Sequence, residues 1–319
     1  SGMLDDATFR VSGESMSLRP AALLLAVVLL ASCGGLGEEK GGGFTVVASV
    51  LPIYLLTVNV VDNIKGVVVN ILVSPDSGDL HNYQLLPGDL LRLSRSDMVI
   101  LNGLGLEGFL HDALADLPPE VRVVTADKGL EPLLLHAGDA HHEPSHAHRG
   151  DWDPHLWVSP VNAARMVANI RDALVEADPS HAEAYRANAA EFIGRLEALH
   201  ARMLAVAAGW PKRAIITNHD AFGYLARDLD LEIAGVVMLT PGASPSAAEL
   251  LRLVEVIRQE GAAVFIEPGY PEGPARRLAE DAGVPVFTLD PCTTGGAEPE
   301  RFLEVMEKNL ENLDAALGG

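Results

Sequence analysis

One stripe of apolar residues divides this chain and limits what it can become. Tyr185, Ala189, Phe192, Leu196, Leu199, Met203 and Val206 follow one another at intervals of 4, 3, 4, 3, 4 and 3 residues. That spacing puts all seven side chains on one side of an α-helix. Asp178-Pro179-Ser180 supplies a start signal, with Ser180 as candidate N-cap, and Gly209-Trp210-Pro211 supplies an end. The stripe predicts one helix over 180–208, about 29 residues and roughly 43 Å at 1.5 Å per residue. A two-stranded coiled coil is the competing reading, but three heptads are short for one.

On each side of the stripe the pattern is strand, helix, strand, helix. Before it, strands are expected at 44–49 (FTVVAS), 66–72 (GVVVNIL), 98–101 and 121–124. Helices are expected at 51–62, 87–94, 105–117 and 161–176, the last burying Val161, Ala164, Val167, Ile170 and Leu174. After it, strands are expected at 213–217 (RAIIT), 232–237, 263–266 (AVFI) and 284–289 (VPVFTL). Helices are expected at 246–260, 274–282 and 298–317, the first two closed by Gly261 and Gly283. Near-continuous apolar strands alternating with helices mean parallel sheets covered on both faces. The expected fold is α/β: two lobes of parallel sheet flanked by helices, 44–178 and 210–319, joined by a linking helix at 179–209. Two lobes so joined should hold a ligand between them.

Charge narrows the ligand. The formal net charge is −21, which excludes a phosphate backbone as partner and fits a chain that attracts cations. Residues 136–160 (HAGDAHHEPSHAHRGDWDPHLWVSP) hold six of the eleven histidines. Imidazoles and carboxylates at this density point to metal. The stretch divides. The part from 136 to 150 has no hydrophobic period and reads as a loop in which His136, His141, His142, His146 and His148 collect metal weakly or sense it; an acidic-polar insert without function is the alternative. DPHLWVSP reads as ordered.

In open α/β sheets, ligands sit beyond the carboxyl ends of strands. His81 lies in the loop after 66–72, His219 follows 213–217, and Asp290 follows 284–289 directly. His155 in DPHLWVSP is the fourth candidate, so each lobe offers two. Asn218 and Asp220 flank His219, and Glu267 follows another strand; these are candidates for holding a ligand in place, with direct ligation as the alternative for Glu267. Asn102, Gly103 and Glu107 suggest loop geometry. His111, His181 and His200 have structural readings. Cys292 reads as a small buried residue.

The first residues read as a leader. Residues 1–15 fit neither signal nor fold. Met16-Ser-Leu-Arg19 and the ten apolar residues 21–30 have the proportions of a signal-peptide core. Leu30-Ala31-Ser32-Cys33 resembles the bacterial lipoprotein cleavage motif, with Cys33 lipidated; a plain secretory signal is the alternative. Residues 1–33 are then leader, and 34–43 (GGLGEEKGGG) a flexible tether.

Over about 44–319 the chain resembles the zinc- and manganese-binding solute-binding proteins that serve ABC importers. SVLPIY, PDSGDLHNY, VILNGLGLEGFL, DPHLWVSP, TNHDAFGYLA, VFIEPGY and TLDP carry the resemblance, in the right order. It implies a rigid helix between the lobes, small lobe movement, and metal ligands at His81, His155, His219 and Asp290. It further implies a monomer outside the cytoplasm, anchored through Cys33, with a membrane permease as partner. Three imidazoles and one carboxylate suit tetrahedral Zn²⁺, whereas Mn²⁺ prefers more oxygen. The manganese branch typically has Glu where His219 stands. The expected function is capture of Zn²⁺ for an ABC-type importer, without catalysis. A manganese-binding homologue, a cell-surface zinc buffer or adhesin, and a zinc hydrolase are the alternatives.

Overall fold

A computed structural model describes residues 43–77, 83–135, 152–238 and 245–319. Among them the eight expected strands form two four-stranded sheets. The first holds β1 (Phe44–Ala48), β2 (Val67–Ile71), β3 (Met98–Leu101) and β4 (Arg122–Thr125) in the order β2-β1-β3-β4. The second holds β5 (Ala214–His219), β6 (Glu232–Met238), β7 (Ala263–Ile266) and β8 (Val286–Thr288) in the order β6-β5-β7-β8. Every pairing is parallel. β3, β5 and β7 are buried at every position, the burial that selects continuous runs such as MVIL and AVFI.

Between the sheets lies α5 (Ala182–Ala207), 26 residues long. Tyr185, Ala189, Phe192, Leu196, Leu199 and Met203 are buried along it, and Ala207 continues the line. The stripe packs against α1 (Leu51–Val61) and α4 (Pro160–Ala177) of the first lobe and α9 (Arg301–Leu317) of the second. One apolar core therefore runs through both lobes. Each fully buried Leu or Phe in it contributes about 1.5–3 kcal/mol. A smaller core covers the far face of each sheet.

Some local expectations fail for identifiable reasons. Ser180 does not cap α5. Pro179–His181 form a 3-10 turn, His181 takes the cap position, and the Ser180 hydroxyl donates to Asp178 Oδ1 at 2.5 Å. Val161 is 45% exposed, because Ser159 caps α4 and Pro160 begins it; Ala163 and Met166 turn inward instead. The helix expected over 105–117 is a 3-10 turn, Gly108–Leu110, followed by the short α3 (His111–Ala115). A seven-residue helix, α6 (Gly223–Leu229), is too short to show a period in the sequence. The remaining helices are α2 (Pro87–Arg95), α7 (Ala247–Glu260) and α8 (Gly273–Ala282).

Candidate metal centre

His155 and His219 meet between the two sheets. Their exposures are 4% and 3%, and their Nε2 atoms are 3.4 Å apart. Two nitrogens bound to one tetrahedral Zn²⁺ at 2.0–2.1 Å would be separated by about 3.4 Å. The pair thus has the spacing of one edge of a zinc tetrahedron.

Each ring is aimed by a carboxylate at its far nitrogen. The Asp153 Oδ1 accepts from the His155 backbone N–H at 2.9 Å and stands 2.8 Å from His155 Nδ1. The Glu267 Oε1 accepts from the His219 N–H at 2.8 Å, while its Oε2 engages His219 Nδ1. A carboxylate only accepts, so Nδ1 carries the proton in each ring. Both Nε2 lone pairs then face the gap, as metal ligation needs. Tyr270 stacks on His219 with ring centroids 4.3 Å apart, and Trp157 meets His155 edge-on at 5.4 Å.

Register explains the second of these contacts. β5 pairs with β7 as Ile216 with Val264. Three residues further on, His219 stands opposite Glu267. Burial of His219 lowers its pKa, but the Glu267 charge and hydrogen bond, helped by Asp220 and Asp153, raise it more. The net shift is upward.

The loop that carries His155 is held from below. Asn102 Nδ2 donates to Pro154 O at 2.9 Å. Glu107 fixes Asn102 in turn. It accepts from the Asn102 N–H at 2.6 Å, the Gly103 N–H at 3.2 Å and the Ser49 hydroxyl at 2.7 Å. Burial raises the Glu107 pKa against these bonds. Gly103 has φ of +100°, and a Cβ there would lie 2.2 Å from the Asp127 carboxyl carbon, so no other residue fits.

The second lobe grips the same loop. On α6, the Tyr224 hydroxyl accepts from the Leu133 N–H at 3.0 Å and donates to Asp153 O at 2.7 Å. Burial pushes this phenol up to about 12, so it remains a donor. A Cβ on Gly223 would stand 2.9 Å from Asp153 Oδ2, which is why a glycine begins this helix. Trp157 Nε1 donates to Pro291 O at 2.6 Å, and the Ser159 hydroxyl donates to Asp228. None of Tyr224, Trp157 or Asp153 stands out in the sequence as a supporting residue, although Asp153 lies two positions before His155, an offset that lets an Asp side chain reach a backbone N–H.

The other candidates fall differently. His81 and the histidines of 136–150 lie outside the described residues, as does Cys33. Asp290 stands one residue beyond the point where the Leu289 N–H meets Ile266 O, close enough to Glu267 to feel its charge. Burial raises the Asp290 pKa; the Cys292 N–H and Arg301 oppose this. Its Oδ1 accepts from the Cys292 N–H at 2.7 Å and its Oδ2 from Arg301 at 3.2 Å. Among the described residues, no three His, Cys, Asp or Glu side chains converge as a metal-holding group. Asn218 is fully buried with no hydrogen bond to its amide among the described residues. The Nδ1 of His219 is met by Glu267. His111 is exposed, His181 bonds Asp178, and Cys292 is buried.

The comparison with known families decides the class. The model of zinc-uptake complex component A, periplasmic (ZnuA), matches residues 46–316. The chain belongs to this family. It is a family of transport binding components rather than of enzymes. Among curated relatives, the high-affinity zinc uptake system protein ZnuA of Bacillus subtilis is 30% identical over 91% of this chain and 94% of its own. A putative metal-binding protein of Treponema pallidum is 35% identical over 76% of this chain and 73% of its own. The zinc-binding lipoprotein AdcA of Streptococcus pneumoniae is 28% identical over 93% of this chain, which spans 60% of AdcA. Among solved structures, the Zn(II)-bound ZnuA-like domain of that AdcA matches with TM-score 0.72 and 27% identity, covering 87% of this chain and all of the domain. The laminin-binding protein of Streptococcus agalactiae, described as an adhesin with metal-transporting activity, matches with TM-score 0.74 and 25% identity over 86% of this chain and 99% of its own.

Proposed function

We propose that this chain captures Zn²⁺ outside the cytoplasm and delivers it to the permease of an ABC importer. The observation that carries the reading is the His155–His219 pair, whose 3.4 Å Nε2 spacing and doubly carboxylate-backed rings suit one small cation. His81 is the third donor in this reading, and Asp290 the fourth candidate. The lobes are 44–178 and 210–319, and 179–209 links them. Cys33 is the lipid anchor and the chain acts as a monomer. The ZnuA and AdcA relatives are zinc uptake and zinc-binding proteins, which supports zinc as cargo.

A hydrolase is disfavoured by the state of the nearby carboxylates. Asp153 serves His155, Glu267 serves His219, Asp290 meets Arg301, and Glu107 caps backbone N–H groups. None of these four is placed as a general base toward a metal-bound water. The interlobe bonds through Tyr224 and Trp157 support small lobe movement on binding. The test is zinc-limited growth and ⁶⁵Zn uptake in a strain lacking the gene. Lost growth restored by the intact chain and not by His155→Ala supports import; unchanged growth and uptake would favour the surface buffer.

A further inference from the structure

The open edge of the first sheet carries a charge unlike that of the chain as a whole. β4 is an outermost strand of that sheet. On its inner side the Arg122 N–H donates to Asp97 O at 3.0 Å and the Ala126 N–H to Leu101 O at 2.8 Å. Alternate residues of a parallel strand face opposite neighbours, so the N–H and C=O groups of Val123 and Thr125 point to the free side. Between this edge and α4 lies a cavity of about 610 Å³, whose lining includes Arg122, Thr125, Lys128, Arg165 and Asn169. Asn169 Nδ2 donates to Ala126 O at 2.8 Å and to Lys128 O at 2.9 Å, which ties the loop after β4 to α4. Arg165 lies against Gly129, φ +73°, where a Cβ would stand 3.3 Å from its Nη2.

Exposed arginines elsewhere, such as Arg195, Arg202 and Arg276, meet carboxylates. Among the described residues Lys128 and Arg165 meet none. The acids of the groove are already engaged, Asp172 by Arg171 at 2.7 Å and Glu176 by Arg122 at 3.4 Å. A chain of net charge −21 thus keeps two uncommitted cations beside an unpaired strand edge. We propose that this groove takes an extended acidic segment of a partner protein as a further strand beside β4. The backbone of that segment bonds the free groups of Val123 and Thr125, and its carboxylates meet Lys128 and Arg165. A second copy of this chain does not fit edge to edge, because the two sets of cations would face each other.

The test uses the intact chain and a fluorescein-labelled eight-residue peptide of alternating Glu and Val, read by fluorescence anisotropy and by amide hydrogen exchange. The peptide should bind saturably and slow exchange at Val123 and Thr125. Methylating the peptide's edge-facing backbone nitrogens should weaken binding by about tenfold, the loss of two or so hydrogen bonds. Lys128→Gln with Arg165→Gln should weaken it by about three- to tenfold and leave zinc affinity unchanged. A peptide of alternating Lys and Val should not bind. No saturable binding of the acidic peptide, equal binding of the Lys peptide, or protection that misses Val123 and Thr125 would overturn the proposal. Binding that ignores backbone methylation and is displaced by inorganic phosphate would also overturn it, leaving a simple anion pocket. Should the double variant not fold, the methylated peptide and the intact chain decide.

Discussion

His155 and His219 face the same gap on different supports. Asp153 reaches His155 from two residues away, using one oxygen for both the backbone N–H and the ring. Glu267 reaches His219 from the neighbouring strand, 48 residues away, using one oxygen for each. The first support is built by a local turn and the second by sheet register. Amide replacements should therefore separate them. Asn at 153 retains an oxygen in the place of Oδ1 and can still accept both bonds. Gln at 267 has one oxygen for two donors, so its amide group meets an N–H.

The largest effect should come from removing a ring. His219→Ala should weaken zinc binding by about a hundredfold or more, roughly one quarter of the 10–16 kcal/mol typical of a four-ligand zinc site. Equal zinc affinity in the variant, measured by chelator competition, would remove the second lobe from the site. Next comes Glu267→Gln, expected to cost about 10–100-fold. Asp153→Asn should cost clearly less. The reverse order would break the comparison between one-oxygen and two-oxygen support.

A pH series sharpens it further. The proton and the metal compete for Nε2. Because the His219 pKa is raised, chiefly by Glu267 against burial, the proton competes at a higher pH than for an ordinary imidazole. Zinc affinity should be at its plateau above that raised pKa and fall as the pH drops through it, starting above the usual ~6.5. In Glu267→Gln the fall should begin at lower pH. Titrations across about pH 5.5–8 that give one affinity throughout would contradict this. The smallest effect belongs to Tyr224→Phe. It leaves the Leu133 N–H and the Asp153 carbonyl without this partner and should cost about 1–3 kcal/mol of stability in denaturant melts. Zinc affinity should change by less than about tenfold, since both carboxylates remain.

The same contrast explains what the sequence makes legible. The central strands β3, β5 and β7 and the α5 stripe are visible because burial on both faces, or on one helical face, writes a pattern into neighbouring residues. His219 stands out because it is an imidazole at a strand end, and His155 because it is one in the ordered stretch DPHLWVSP. Glu267 is readable as a residue after a strand, but its contact with His219 depends on pairing Ile216 with Val264, which no local pattern records. Tyr224 is less legible still. It lies on a helix of seven residues and acts on the opposite lobe. Asp290 mixes the two: its strand-end position makes it a candidate, the Cys292 N–H that engages its carboxylate comes from a local turn, and Arg301 comes from the start of α9.

The central claim is that one cation sits between two lobes, held by His155 from the first and His219 from the second. Zinc stoichiometry and affinity by chelator competition test it most directly, on the intact chain, His155→Ala, His219→Ala and a deletion of residues 137–149. One tight zinc in the intact chain and in the deletion, lost in both alanine variants, is the predicted result. Tight zinc that survives both alanine changes but disappears with the deletion would contradict it, and would put the site in the histidine-rich stretch instead.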